Sequence, residues 1–225
     1  MNNKLLTLAI CLLLPASLIG CNGNTEYEQK DISIIYTTDV HCGIEPAEGR
    51  LGYTSLVSYK EKLEKTNYVS LVDAGDFLQG EFVGAISNGK YIIDIMNEAK
   101  YDVVTLGNHE FDYGMVELEN RLNEFNEDVV SCNLKYVGTQ VNHLSKVKPY
   151  VIKEYGHTKI GYVGITTPHT LVTSSPNIFI EEDNVVYDFG SSSLDHFYSV
   201  IQKSIDDCKK RWSRLCYSSF SFRKH

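Results

Sequence analysis

Positive charge is the scarcer sign in this sequence: 21 Lys and Arg stand against 29 Asp and Glu, a formal net charge of −8 over 225 residues. No basic face stands out before the last few residues, which excludes the surface that a nucleic-acid polymer requires. Cysteine signals are equally thin. Of six cysteines, Cys11 and Cys21 fall in the first apolar segment, and Cys42, Cys132, Cys208 and Cys216 form neither a Cys-x-x-Cys pair nor a zinc-ligand spacing. A disulfide scaffold is excluded. Buried free thiols are expected at Cys42, Cys132 and Cys208, with a Cys42–Cys132 bridge as the alternative. Long apolar runs are missing too, since the stretch from Leu5 to Leu14 falls short of the about 20 residues that span a bilayer.

That short run, preceded by Lys4, reads as an export signal. Leu18-Ile19-Gly20-Cys21 matches the bacterial lipobox, so Cys21 is expected to carry a lipid that anchors the chain to a membrane in the cell envelope. An ordinary cleaved signal peptide is the alternative. Residues 22–30 are polar and read as a tether. Residues 31–210 have the length of one sizeable domain. Residues 211–225 break the pattern: they hold none of the 29 acids, the single Trp and no apolar periodicity. Reading permitted codons for this stretch one base later can yield a strand followed by a His-bearing loop, so a frameshifted tail is expected.

Within the domain, β-branched runs alternate with helical stripes. Ile32–Thr37 reads as a strand covered on both faces, and Tyr68–Val72, Asp102–Leu106, Val129–Cys132 and Ile160–Ile165 as further strands. Between them, residues 53–63, 91–99 and 115–125 place apolar side chains at helical spacing, and a last helix follows Ser193 through Leu194, Phe197, Ile201, Ile205 and Cys208. Such βα alternation predicts an α/β fold with a mainly parallel sheet. Functional groups collect outside the carboxyl ends of such strands, where Asp39, His41, Asp76, Asn108 and Asn133 fall.

Three of those strand ends carry metal-ligand chemistry. Asp39-Val40-His41, Gly75-Asp76 and Gly107-Asn108-His109-Glu110-Phe111-Asp112 each follow a short apolar run, the layout of a two-metal phosphoester hydrolase. In Asp-x-His the carboxylate and the imidazole share one face of an extended strand end, so Asp39 and His41 are candidate ligands of a first cation. Asp76 would bridge two cations about 3.5–4 Å apart, and Asn108 would offer a neutral oxygen to the second. Gly75 and Gly80 let the backbone approach closely. His109 would then face the adjoining cleft and meet a phosphoryl oxygen or a leaving group, with Asp112 orienting its other nitrogen. A helix N-cap by Asp112, with His109 exposed, is the alternative. The 15 Tyr residues read as packing and surface residues, and Gly161–Pro168 as a strand and turn without chemistry.

Asp39 with His41, the GDFLQG run at 75–80 and the GNHEFDYG run at 107–114 resemble the N-terminal metallophosphoesterase domain of the bacterial 5′-nucleotidase family. That family lies within the calcineurin-like superfamily. Ser131-Cys132-Asn133 and Gly164-Ile165-Thr166-Thr167-Pro168 extend the resemblance over roughly residues 32–210. It implies a four-layer α/β/β/α domain and two divalent ions such as Mn or Zn. It also implies a small nucleotide substrate and attack of an activated water on phosphorus. By the same resemblance Asp39, His41, Asp76 and Asn108 are ligands, and His109 and Asp112 the catalytic pair. The family takes further ligands from later His loops, including a Gly-His-x-His motif, and nucleoside recognition from a separate C-terminal domain. These 225 residues contain neither, so a second ion is expected to be short of ligands and turnover weak or absent. A non-catalytic ligand-binding lipoprotein of the envelope and another calcineurin-like phosphoesterase are the competing readings.

Overall fold

The structure is a computed structural model that describes residues 29–211 and the backbone of residues 215–220. The expected signal segment, the lipid-bearing Cys21, residues 22–28 of the tether, and residues 212–214 and 221–225 of the tail lie outside the described residues.

The first half of the domain alternates strand and helix as the sequence pattern requires. β1 (Asp31–Thr37), α1 (Tyr53–Glu64), β2 (Asn67–Asp73), α2 (Phe82–Ser87), α3 (Lys90–Glu98), β3 (Val103–Thr105), α4 (Met115–Glu124) and β4 (Asp128–Val130) follow one another. The four strands form one parallel sheet in the order β1-β2-β3-β4. The second half adds β5 (Lys135–Tyr136), β6 (Tyr150–Tyr155), β7 (Thr158–Ile165), α5 (Thr170–Thr173), β8 (Ile180–Glu181), β9 (Asn184–Val185), β10 (Tyr187–Asp188), α6 (Leu194–Lys210) and β11 (Leu215–Phe220). β6 and β7 pair antiparallel, and β11, within the stretch read as a frameshifted tail, runs parallel to β7 on its other side.

Two apolar cores separate the layers. Ile92 and Met96 on α3, Leu118 and Leu122 on α4 and Phe125 just after it pack with Leu71, Val104 and Val129 of the parallel sheet and with Leu106 just beyond β3. On the opposite face Val72, Val103 and Val130 meet Val151, Ile160 and Tyr162 of the second sheet. There the Tyr162 hydroxyl donates to Ser70 Oγ at 2.8 Å, giving a buried polar tip its partner. Because side chains alternate along β7, Gly161, Val163 and Ile165 face away from the first sheet, and α6 packs against β6 and β7. The layers are therefore α/β/β/α, as expected.

Two details differ from the sequence expectation. β1 is not covered on both faces: it is an edge strand of its sheet, with Ile34 37% and Tyr36 72% exposed. The second sheet reaches Ile32 but not its same-face neighbours two and four residues on. α6 starts as anticipated, with Ser193 Oγ accepting the His196 N–H at 3.1 Å. Its first stripe residue, Leu194, nevertheless lies exposed, and burial begins in earnest at Ile201.

Cys42, Cys132 and Cys208 are free thiols, so the alternative Cys42–Cys132 bridge is not formed. The Cys42 thiol instead donates to Leu78 O at 3.0 Å, and its burial, reinforced by the nearby Glu110 and Glu81 carboxylates, pushes it up to about 12. Cys132 is half-buried, pushed up to about 11 by desolvation and hydrogen-bonded to Ser204.

At the start of β4 the Asp128 carboxylate accepts from Lys148 at 2.6 Å and from Lys153 at 2.9 Å. Burial alone would raise Asp128, but the two ammonium groups outweigh it and hold the carboxyl below its ordinary value. A lowered folded-state value stabilises the fold above the ordinary carboxyl range, and that contribution is lost as pH falls through the lowered value. Asp128→Asn should therefore flatten the acid limb of stability against pH, measured as urea midpoints, and cost less than about 1 kcal/mol at neutral pH. Equal acid slopes in the two proteins would contradict this.

Candidate metal centre

The loops that leave β1, β2 and β3 are bound to one another by their backbones. Ala74 N–H donates to Thr37 O at 2.8 Å, Asp39 N–H to Gly75 O at 3.0 Å and His41 N–H to Asp76 O at 2.9 Å. These bonds carry the β1–β2 pairing past the ends of the strands. To follow this path Asp39, His41, Cys42 and Asp76 adopt positive φ values of 51°, 47°, 58° and 63°. Each costs a non-glycine residue roughly 1–2 kcal/mol, and such strain persists only where the surroundings over-determine it. The loops after β2 and β3 touch more closely still. At Gly75, with φ +106°, a Cβ would lie 2.4 Å from the Gly107 nitrogen, and at Gly107 a Cβ would lie 2.3 Å from Asp76 Oδ1. Only glycine fits either place.

Three side chains converge across this junction. Ligand atoms of His41, Asp76 and His109 all lie within 4.8 Å of one another. The two imidazoles meet edge to face, with ring centroids 5.0 Å apart. Each ring is oriented by a partner on its far nitrogen. His41 Nδ1 donates to Gln79 O at 3.0 Å, and His109 Nδ1 donates to Asp112 Oδ2 at 2.7 Å. Nε2 of each ring is thereby left for a ligand, an arrangement common to metal-binding histidines. Asp76 is 5% exposed, and its Oδ1 accepts the His109 N–H at 2.9 Å.

The remaining sequence candidates lie around this cluster. Asp39 is on the same loop as His41 but outside the three-residue group, exposed, with its Oδ2 accepting from Thr38 Oγ1 at 2.6 Å. Asn108 lies between Gly107 and His109, and its backbone carbonyl accepts from Ser174 Oγ at 2.6 Å. Asp112 is not a helix N-cap: it follows the short 3-10 turn His109–Phe111, α4 begins at Met115 with Gly114 in the capping position, and the Asp112 carboxylate is engaged by His109. Asn133 is buried and structural, donating to Thr166 O and Phe189 O and accepting the Thr166 N–H.

Two buried carboxylates here were not singled out from the sequence. Glu110 is fully buried, and accepts the N–H groups of Asp76, Phe77, Leu78 and Gly107 at 2.7–3.1 Å. Burial first, then the neighbouring Asp76 charge, raises it to about 7 against the opposing pull of those hydrogen bonds. Asp73 is 1% exposed and accepts the Gly75 N–H at 2.7 Å and the Thr37 hydroxyl at 2.5 Å. Burial pushes its carboxyl well above the ordinary range. The available signal was an acid closing an apolar strand at Asp73 and an acid beside the apolar Phe111 at Glu110.

An imidazole with a buried carboxylate suits a divalent cation of borderline or hard character, and the Gln79 partner that fixes the His41 ring fits such an ion. Gly75→Ala would force a Cβ into the Gly107 backbone at a left-handed φ. The variant should lose about 2 kcal/mol or more of stability together with Mn²⁺ binding, measured by thermal unfolding and calorimetric titration. An unchanged melting temperature with unchanged binding would contradict the loop contact.

The calcineurin-like phosphoesterase family matches residues 32–202 of the chain. A snake venom 5′-nucleotidase from Crotalus adamanteus is 31% identical over 164 residues, which cover 67% of this chain and 28% of the relative. A 2′,3′-cyclic-nucleotide 2′-phosphodiesterase/3′-nucleotidase from Haemophilus influenzae is 32% identical over 174 residues, covering 66% of this chain and 26% of that protein. The chain thus spans under a third of the length of these curated relatives. Among solved structures, a 5′-nucleotidase precursor from Thermus thermophilus superposes with a TM-score of 0.68 at 23% identity, over 83% of this chain and 36% of that one, a likeness of fold. The matched range includes all three strand-end loops, and the chain belongs to the calcineurin-like phosphoesterase family, among relatives of the 5′-nucleotidases.

Proposed function

We propose that this chain is a metal-dependent phosphoester hydrolase acting on small nucleotides. The observation that carries the reading is the convergence of His41, Asp76 and His109 within 4.8 Å at the ends of adjacent parallel strands. The nucleotidase names of its relatives, including the Haemophilus influenzae protein, favour a nucleotide over a protein or lipid ester.

Divalent cations such as Mn²⁺ or Zn²⁺, when bound, supply an activated water and positive charge for the phosphoryl oxygens. His41, held through Nδ1 by Gln79, would offer Nε2 to a first cation together with the Asp39 and Asp76 carboxylates. Asp76 and Asn108 serve a second. Two such ligands alone would hold a second ion weakly, with slow turnover as the consequence. His109 has Nδ1 committed to Asp112, and so acts through Nε2 on a phosphoryl oxygen or on the leaving oxygen, holding or giving the proton there. The 5.0 Å separation of its ring from that of His41 supports this role. Export and anchoring through Cys21 belong to the same proposal and rest on the Leu5–Leu14 run and the Leu18–Cys21 motif.

Phosphate release from nucleoside monophosphates, assayed with Mn²⁺ or Zn²⁺ on the chain expressed in cells and in its purified form, tests this reading. The account expects slow release that sediments with membranes unless Cys21→Ser is introduced. Release should cease on chelation or in Asp76→Asn. His109→Ala should lower the rate by about 10²-fold or more while Mn²⁺ still binds. Release that survives chelation and Asp76→Asn, or normal nucleotidase turnover by the purified chain with either metal, would overturn it. Among the described residues no helix is long and apolar enough to cross a membrane.

A further inference from the structure

We propose that Glu110 is the positioning residue that holds the Asp76-bearing and His109-bearing loops at the spacing the metal centre needs. Its two oxygens divide the task. Oε1 accepts the Phe77 and Leu78 N–H groups at 2.7 and 3.1 Å, gathering the chain just after Asp76. Oε2 accepts the Asp76 N–H at 2.8 Å and the Gly107 N–H at 2.7 Å, so a single oxygen joins the loop after β2 to the loop after β3. The circuit then closes on itself. Asp76 Oδ1 accepts the His109 N–H at 2.9 Å, and His109 is the residue that precedes Glu110 in the chain. Asp76 is thereby fixed at both its backbone and its side chain, and its left-handed φ of 63° is held in place.

This geometry also fixes what Glu110 does not do. The side chain is fully buried and both oxygens are turned onto backbone N–H groups, so it reaches neither solvent nor a substrate. It acts through Asp76 and His109. A side chain shorter by one methylene cannot reach all four donors from the same backbone position, and an amide in place of the carboxylate turns an NH₂ group against N–H groups that need an acceptor. The four donors come from consecutive or facing backbone positions, and at Gly107 the two loops are close enough to share an oxygen.

The inference rests on the reading of Asp76 as a metal ligand, and the test separates the two. Mn²⁺ affinity by calorimetry, melting temperature, and KM and kcat for phosphate release are measured for the unaltered chain, Asp76→Asn, Glu110→Gln and Glu110→Asp. Positioning predicts that Glu110→Gln weakens Mn²⁺ binding by about 10–100-fold at temperatures where the variant remains folded. It also predicts a fall in kcat with little change in KM, and partial recovery of both in Glu110→Asp. If Glu110→Gln does not fold, Glu110→Asp carries the comparison, with weakened binding in the folded protein as the supporting result. A lower melting temperature with unchanged Mn²⁺ affinity and unchanged kcat would reduce Glu110 to a structural residue and overturn the inference. Unchanged Mn²⁺ binding in Asp76→Asn would instead remove the metal-centre reading itself.

Discussion

The candidate centre depends on one contact, the close approach of the chain at Gly75–Asp76 to the chain at Gly107. Neither segment is regular, although Phe77 and Leu78 after the first and Leu106 before the second are buried in the core. They are held by hydrogen bonds to buried carboxylates, Asp73 on Gly75 and Glu110 on Gly107 and its neighbours. Buried backbone donors left without acceptors cost roughly 1–3 kcal/mol each, so these acids fix the loop geometry together with that packing. The ligand-bearing side chains follow from that backbone.

The parallel sheet explains why the centre lies where it does. Strands β1, β2 and β3 are in register, with Thr37 beside Asp73, and their loops emerge at the same level on the same edge. A hydrogen-bonded continuation between the first two loops carries Asp39 and His41 over Asp76. The second sheet and α6 do not donate side chains to the three-residue cluster. The second sheet supports it from below through the inter-sheet core, and Ser174, just after α5, grips the Asn108 carbonyl from one side.

Much of this was legible in the sequence for a definable reason. Strands β2, β3 and β7 and helices α3, α4 and α6 bury apolar stripes of the right period, and the ligand candidates are rare residue types placed after strands. His109 and Asp112 were readable as a pair because three residues at a helical turn bring side chains together. What escaped has a physical cause as well. Glu110 works on backbone N–H groups, which every residue possesses and no motif records. The exposure of β1 depends on how far a second sheet extends, and the short α2 and the two-residue strands between β4 and α6 carry too few residues to show a period. The cluster itself is a tertiary fact: the sequence could rank His109 beside the site but not place its ring 5.0 Å from that of His41.

Anomalous diffraction from crystals of this chain grown with Mn²⁺ tests the central claim most directly. The account predicts a peak at the metal's absorption edge within ligand distance of His41 Nε2 and the Asp76 carboxylate, beside His109. A map with no peak there, or with its strongest peak at a site remote from these three residues, would contradict it.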